Sequence, residues 1–236
     1  MSNPLIYRII DKVVSDYSMI EKGDKILLAV SGGKDSTVMA EYFYNRKKRD
    51  DSDFEVVAFH VATKGIAPVL SREIEAKFEE WGIKLLKKDM DIFSRLKNGK
   101  KMNCWFCSTQ RRLELSLMAQ KLGCKKIALG HHLDDVLETL VMNMLGKKSL
   151  FTMPPILKFQ KFPITIIRPL CLCDEKSIIK HVADSHYICA TCTCSYQKNS
   201  SRKDARERIL ALTSGSYKLK RNIFESLHNI NTAYLP

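Results

Sequence analysis

The hexapeptide Ser31-Gly32-Gly33-Lys34-Asp35-Ser36 constrains this chain more than any other feature, because an apolar run, Ile26 to Val30, ends at it and a helical pattern begins beyond it. A strand that turns through two glycines into a helix builds an anion site. Gly32 and Gly33 let the backbone approach closely, Ser31 and Ser36 offer hydroxyls, and Lys34 offers charge. The helix start adds open N–H groups and the positive end of its dipole. A Walker A loop would have glycine five residues before Gly33 and Ser or Thr after the lysine. Leu28 and Asp35 stand there instead, which excludes that motif. The plain alternative is a tight strand-to-helix turn that holds nothing.

Around this loop the chain alternates between two periodicities. Ile6, Ile9, Ile10, Val13, Val14 and Tyr17 recur at helical spacing and predict an amphipathic helix from Leu5 to Ile20. Strands are expected at Lys25 to Val30, Glu55 to Val61, Lys84 to Leu86, Lys126 to Leu129 and Pro163 to Ile167. Helices are expected from the hexapeptide to Tyr44, from Ser71 to Trp81, from Ser108 to Leu122, from Asp135 to Leu145 with an end at Gly146, and from Glu175 to Ser185. Lys47 to Asp53 reads as a charged loop, and Leu113, Leu117 and Ala119 to Leu122 as the buried side of their helix. The alternation predicts an α/β fold with a doubly wound, mostly parallel sheet. A soft boundary near residue 165 divides a nucleotide-binding domain, 1–165, from an extension, 166–236, that carries cysteines and basic helical segments from about Ser201.

No run of eighteen apolar residues and no signal-peptide series appears, so the expectation is a cytoplasmic protein without a membrane partner. At 236 residues the chain does not need disulfide staples, and its eight cysteines point to metal or redox use. A formal net charge of +13 exceeds what ATP alone would require and favours nucleic acid as partner, against plain solubility.

In an open α/β sheet, ligands sit at the carboxyl ends of the strands, so the segments Ser31 to Ser36, His60 to Lys64 and Gly130 to Asp135 should converge on one crevice. Asp134 and Asp135 suit magnesium or the orientation of a phosphate; as helix caps they would instead stabilise a dipole. One of His131 and His132 is expected to pack on the sheet, and neither is assigned to catalysis. Cys104 and Cys107 can place two thiolates on one metal, and the helix start after them would lower their pKa values. Cys189 and Cys192 repeat the spacing with Cys194 close by, a pattern open to both a Cys₄ zinc site and an iron–sulfur cluster. Cys124, Cys171 and Cys173 have apolar neighbours and read as core.

Several further motifs occur in a single order. They are Tyr17-Ser18-Met19-Ile20 with Gly23-Asp24, the hexapeptide, Cys104-Trp105-Phe106-Cys107 with Arg111-Arg112, Ile127 to His132 with Asp134-Asp135, Met153-Pro154-Pro155, and Ile167-Arg168-Pro169-Leu170. Over residues 15 to 210 this order resembles the tRNA 2-thiocytidine synthetase family, within the wider PP-loop group of tRNA thiolation enzymes. The hexapeptide itself is similar to the PP-loop of ATP pyrophosphatases, which cleave ATP between the α and β phosphates.

The resemblance implies a [4Fe–4S] cluster on three cysteines, ATP with Mg2+ in the adjacent crevice, and replacement of the C2 oxygen of a tRNA pyrimidine by sulfur. Cys104 and Cys107 would be two cluster ligands and Cys189 the third, with Cys192 as second choice; Cys194 better fits the following Gln197 and Arg202. Asp35 and Asp135 would lie at the phosphates and metal, and Arg111 would face the reacting phosphate. Gly130 would admit the nucleotide, and His60 would sit beside adenine or ribose. ATP would adenylate the C2 oxygen, and sulfide from a donor, a cysteine desulfurase or sulfide itself, would displace AMP. Lys198, Arg202, Lys203, Arg206 and Arg208 are candidate contacts to tRNA phosphates.

Ala62 departs from the family pattern, which leads to an acidic residue there, and the terminal zinc-binding cysteine pairs of the 2-thiouridine-54 enzymes are missing. The second absence favours the cytidine branch. The competing readings are a PP-loop amidating or lysidine-forming ligase, or a nucleotide-binding RNA-binding protein, each with structural zinc. A homodimer is compatible with all of them.

Overall fold

The computed structural model describes residues 4–50, 53–63, 66, 69–96, 101–159, 162–185 and 201–234. Strands β1 (Asp24–Val30), β2 (Phe54–Thr63), β3 (Leu85–Met90), β4 (Lys126–Ala128), β5 (Ile156–Lys158) and β6 (Thr165–Ile167) form one sheet. Its order is β3-β2-β1-β4-β6-β5, parallel throughout except for the β5–β6 pair. The helices are α1 (Leu5–Asp16), α2 (Lys34–Asp50), α3 (Arg72–Glu80), α4 (Cys104–Leu122), α5 (Leu133–Lys147), α6 (Glu175–Ser185), α7 (Ser201–Thr213) and α8 (Tyr217–Ser226). This is the expected doubly wound α/β architecture. None of the described helices is long and apolar enough to cross a membrane.

The alternation of β1 decides which helix packs where. Ile26, Leu28 and Val30 point into a core shared with α1, α2, α5 and α6, while Leu27 joins Phe59, Ile127, Ala119 and Cys107 in a second core on the other face. Cys107 and Ala119 belong to α4, so the helix that carries the first cysteine pair and the helix that follows the hexapeptide lie on opposite faces of the sheet. Both are reached from the carboxyl end of β1. Cys124, Cys171 and Cys173 are buried, as expected.

Several boundaries move for identifiable reasons. Helix α1 ends at Asp16, and Ser18 adopts a left-handed conformation with φ 47° that turns the chain before Ile20. Helix α2 continues through the segment expected to be a charged loop, because Arg46 and Arg49 reach Asp11 of α1 at 3.1 and 2.9 Å and basic residues suit the last turn of a helix. Strand β2 runs to Thr63, two residues past the expected end at Val61, and His60 lies within it. Strand β3 extends to Met90 through Lys87, Lys88 and Asp89, charges that an edge strand tolerates.

Helix α4 starts at Cys104, not Ser108, capped by Asn103, whose side chain accepts a hydrogen bond from Phe106 N at 2.9 Å. Its buried side also differs from expectation. Leu113 and Leu117 are exposed, and Glu114 and Ser116 are buried in their stead, because Lys88 and Arg95 both pair with Glu114 at 2.5 Å. Gly146 lies within α5, which ends at a left-handed Lys148. Strand β5 follows the Met153-Pro154-Pro155 break unheralded, as three residues of antiparallel edge.

Candidate functional site

Val30 delivers the chain from β1 into the hexapeptide, and the hydroxyls expected to face a ligand first shape the loop itself. Ser31 N donates to Ser36 Oγ at 3.1 Å, Ser36 Oγ donates to Gly33 O at 3.0 Å, and Gly33 N donates to Ser31 Oγ at 3.3 Å. Thr37 N closes the first backbone hydrogen bond of α2, on Gly33 O at 3.2 Å, so the amides of residues 34–36 ahead of it are the open donors of a helix start. Gly32 has φ +84°, and a Cβ there would stand 2.9 Å from Leu70 Cδ2. Its conformation requires glycine, whereas the Leu70 methyl could shift aside. Buried His60 braces the same turn, its Nδ1 lying 2.8 Å from Val30 O.

Beyond β4, Gly130 brings the second arm of the crevice against the first. A Cβ on it would lie 3.1 Å from both Asp35 C and Ser36 N, so contact between the two segments is made backbone to backbone. His132 then caps α5 in a reciprocal box: Asp135 N donates to His132 Nδ1 at 3.4 Å, and His132 N donates to Asp135 Oδ2 at 3.2 Å. The buried imidazole stands between two carboxylates, with Nε2 3.9 Å from Asp35 Oδ1 and 3.5 Å from Asp135 Oδ2. Asp35 and Asp135, a hundred residues apart in the chain, are thereby brought together.

Their environments differ. Burial pushes the Asp35 carboxyl up, against the opposing pull of His132 and Lys34. Burial acts the same way on Asp135, but His132, His131 and Arg202 together hold it below the usual carboxylate range. Burial drives His131 down to about 4, and its Nδ1 accepts a hydrogen bond from Arg168 Nε at 3.3 Å. Arg168 also donates to Pro154 O at 2.5 Å, which joins two of the sequence motifs.

The two neighbouring aspartates separate in role. Asp134 turns away from the hexapeptide, accepting from Glu175 N at 2.8 Å and pairing with buried Lys220 of α8 at 2.5 Å. Asp135 instead meets Arg202 of α7 at 2.7 Å. Lys34 is held by Glu175 at 2.9 Å and by Asp35 at 3.3 Å. Arg206 pairs with Glu138 at 2.7 Å and reaches Glu175 at 3.8 Å, and Arg208 pairs with Asp204 at 3.0 Å. Of the basic positions expected to meet nucleic acid, Arg202, Arg206 and Arg208 thus have carboxylate partners within the chain. Lys203 is exposed, and Lys198 lies outside the described residues.

On the opposite face, Cys104 and Cys107 share the first turn of α4, the former exposed and the latter buried. Residues three apart on a helix face one side, which fits two thiolates on one cluster. Cys189, Cys192, Cys194 and Gln197 lie outside the described residues, as does Lys64. Half-buried Arg111, two turns into α4, makes no hydrogen bond or ion pair among the described residues. Among those residues no group of three or more His, Cys, Asp or Glu is arranged to hold a metal ion.

Glu138, Glu175 and Lys220 were not singled out from the sequence. A signal existed for the first: Asp135 and Glu138 on one helix and Arg202 and Arg206 on another repeat at facing helical spacings.

A PP-loop domain family model matches residues 4–211. The tRNA-cytidine(32) 2-sulfurtransferase of Vibrio campbellii is 34% identical over 233 residues, covering 97% of this chain and 78% of that protein. The protein of the same name from Polynucleobacter asymbioticus is 34% identical, covering 97% and 76%. Among solved structures, the U34-tRNA thiolase NcsA from Methanococcus maripaludis with its [4Fe-4S] cluster superposes with a TM-score of 0.73 at 25% identity, over 96% of this chain and 80% of that one. An NMN synthetase from Francisella tularensis, at 13% identity and a TM-score of 0.57, shares the fold over 100% of this chain and 99% of its own.

Proposed function

This chain belongs to the PP-loop family, among the tRNA-cytidine(32) 2-sulfurtransferases, and from that premise we propose that it replaces the C2 oxygen of a tRNA cytidine with sulfur at the expense of ATP. The observation that carries the reading is His132 set between Asp35 and Asp135, because it joins the hexapeptide to the start of α5 in one anion-binding crevice.

ATP phosphates would be received by the open amides of residues 34–36 and by Lys34, with Gly32 and Gly33 clearing the approach. Asp35 and Asp135 would hold Mg2+ on those phosphates, and Arg111 would face the phosphate under attack. The C2 oxygen attacks the α phosphorus, the bond to the β phosphate breaks, and pyrophosphate leaves. Hydrosulfide then adds to C2, AMP departs with the oxygen, and a proton is released. Basic residues and the +13 charge draw the tRNA in, and the target base everts into the crevice. Cys104 and Cys107, with Cys189 or Cys192, would hold the [4Fe–4S] cluster, which when bound supplies an iron position without a cysteine for sulfide. Sulfide reaches the protein from a desulfurase or from solution, in the cytoplasm, and a homodimer accommodates this arrangement.

The test is product analysis. Incubation with ATP and substrate tRNA should give AMP and pyrophosphate, and Asp35→Ala or Asp135→Asn should abolish both. ADP and phosphate as products would refute the assignment. Nucleoside analysis of tRNA from a deletion strain should show loss of 2-thiocytidine; loss of a 2-thiouridine instead would move the target base.

A further inference from the structure

Five carboxylates, Asp35, Asp134, Asp135, Glu138 and Glu175, and four cationic side chains, Lys34, Arg202, Arg206 and Lys220, are linked in one cluster around the hexapeptide and the start of α5. A triphosphate entering that cluster meets more negative than positive charge. Two changes relieve this: a divalent cation on a carboxylate, and a cation of the protein turned from its carboxylate to phosphate.

The four cations are not equally free to turn. Lys220 is 7% exposed and bound to Asp134. Arg206 is divided between Glu138 and Glu175, on two helices. Lys34 already belongs to the loop. Among the described residues, Arg202 is 44% exposed and makes one side-chain hydrogen bond, from Nη1 to Asp135 Oδ1 at 2.7 Å; Glu138 Oε2 stands 3.6 Å away, beyond hydrogen-bond range, and takes no hydrogen bond there. A guanidinium carries five N–H donors in a planar fork that matches phosphate. Among the described residues most of that fork is uncommitted, beside the carboxylate that Mg2+ would take.

We propose that Arg202 is a catalytic residue of the phosphate site: with ATP bound and Asp135 committed to holding Mg2+, the Arg202 guanidinium would pass to the phosphates and stabilise the charge on the departing pyrophosphate. Glu138, behind both arginines, holds α7 against α5 while Arg202 turns. The proposal rests on the reading above that the crevice cleaves ATP.

Two variants and one control test it. Arg202→Ala should lower the rate of pyrophosphate release by about 100-fold or more, as loss of one transition-state donor does elsewhere. Added guanidinium should restore at least about tenfold of that loss. Calorimetry with Mg2+ and α,β-methylene-ATP should show binding weakened about tenfold, with adenosine binding unchanged. Arg202→Lys keeps an ion pair with Asp135 but not the fork, and should fold normally while releasing pyrophosphate about tenfold slower. Arg206→Ala, which loosens α7 without touching Arg202, should give no guanidinium rescue.

Full pyrophosphate release by either Arg202 variant overturns the proposal, as does an Arg202→Ala loss that guanidinium leaves untouched. A wild-type protein that releases no pyrophosphate at all would instead overturn the reading on which the proposal rests.

Discussion

Replacing Gly130 with alanine should damage the phosphate site through its backbone, at the amides of residues 34–36. The new Cβ would stand 3.1 Å from Asp35 C and Ser36 N and 3.3 Å from Asp35 O, all of them backbone atoms that cannot rotate aside. Relief requires the first turn of α2 to back away from β4 by about 0.5 Å, the sort of overpacking that costs about 1–3 kcal/mol. In a chain of this size that lowers Tm by about 2–12 °C. The same displacement moves the amides of residues 34–36 and the Asp35 carboxylate relative to Asp135, and misplacement on this scale costs up to about 100-fold in turnover. Differential scanning calorimetry and pyrophosphate release measure the two effects. Gly146→Ala is the matched control. Nothing lies within 4 Å of its added methyl, and it sits inside α5. It should gain about 0.5–1 kcal/mol with activity intact. A Gly130→Ala protein as stable and as active as wild type would refute the claim that the two arms of the crevice meet backbone to backbone.

Anaerobically prepared protein should be brown with about four iron and four sulfide per chain, and Cys104→Ser or Cys107→Ser should lose colour and thiolation together; stoichiometric zinc without iron would contradict this. Lys220→Met leaves half-buried Asp134 without its cation and should cost about 3 kcal/mol by urea denaturation. Although burial alone would raise Glu114, Lys88 and Arg95 hold its carboxyl below its ordinary value. A carboxyl lowered on folding contributes stability that is present above its unfolded pKa and lost as pH falls through its folded one. Stability should therefore drop as pH falls below about 4, and Glu114→Gln should flatten that drop while costing about 1–3 kcal/mol at neutral pH.

Periodicity made the parallel core legible, since Ile26 to Val30 and Ile127 to Leu129 are short apolar runs that follow turn signals, and such runs have few other uses. It failed where charge took the place of apolar surface. Lys47 to Asp50 read as loop because nothing local indicates that Asp11 waits on another helix for Arg46 and Arg49. Leu113 and Leu117 read as buried because a leucine is the natural inward residue, whereas α4 turns Glu114 inward to meet two cations from β3 and the turn after it. The crevice was legible for a related reason. Glycines and short polar residues at strand ends mark it in sequence, and Asp35 and Asp135 each follow such a mark. What sequence could not supply was direction: adjacent Asp134 and Asp135 look equivalent on paper, and only the arrival of α6, α7 and α8 gives one to Lys220 and the other to Arg202.

Those late partners also set an order of events during synthesis. The hexapeptide leaves the ribosome with β1, yet Glu175 follows Lys34, and Lys220 follows Asp134, after long intervals of chain. At about 5–20 residues per second, Lys34 waits on the order of 10 s for its carboxylate. Until α6 and α7 emerge, the apolar faces of α2 and then α5 that they later cover are open to solvent and to other chains. The nascent protein is therefore most exposed to aggregation while its sheet is already made, and truncations that stop before α6 should be held by chaperones rather than released as a smaller nucleotide-binding domain.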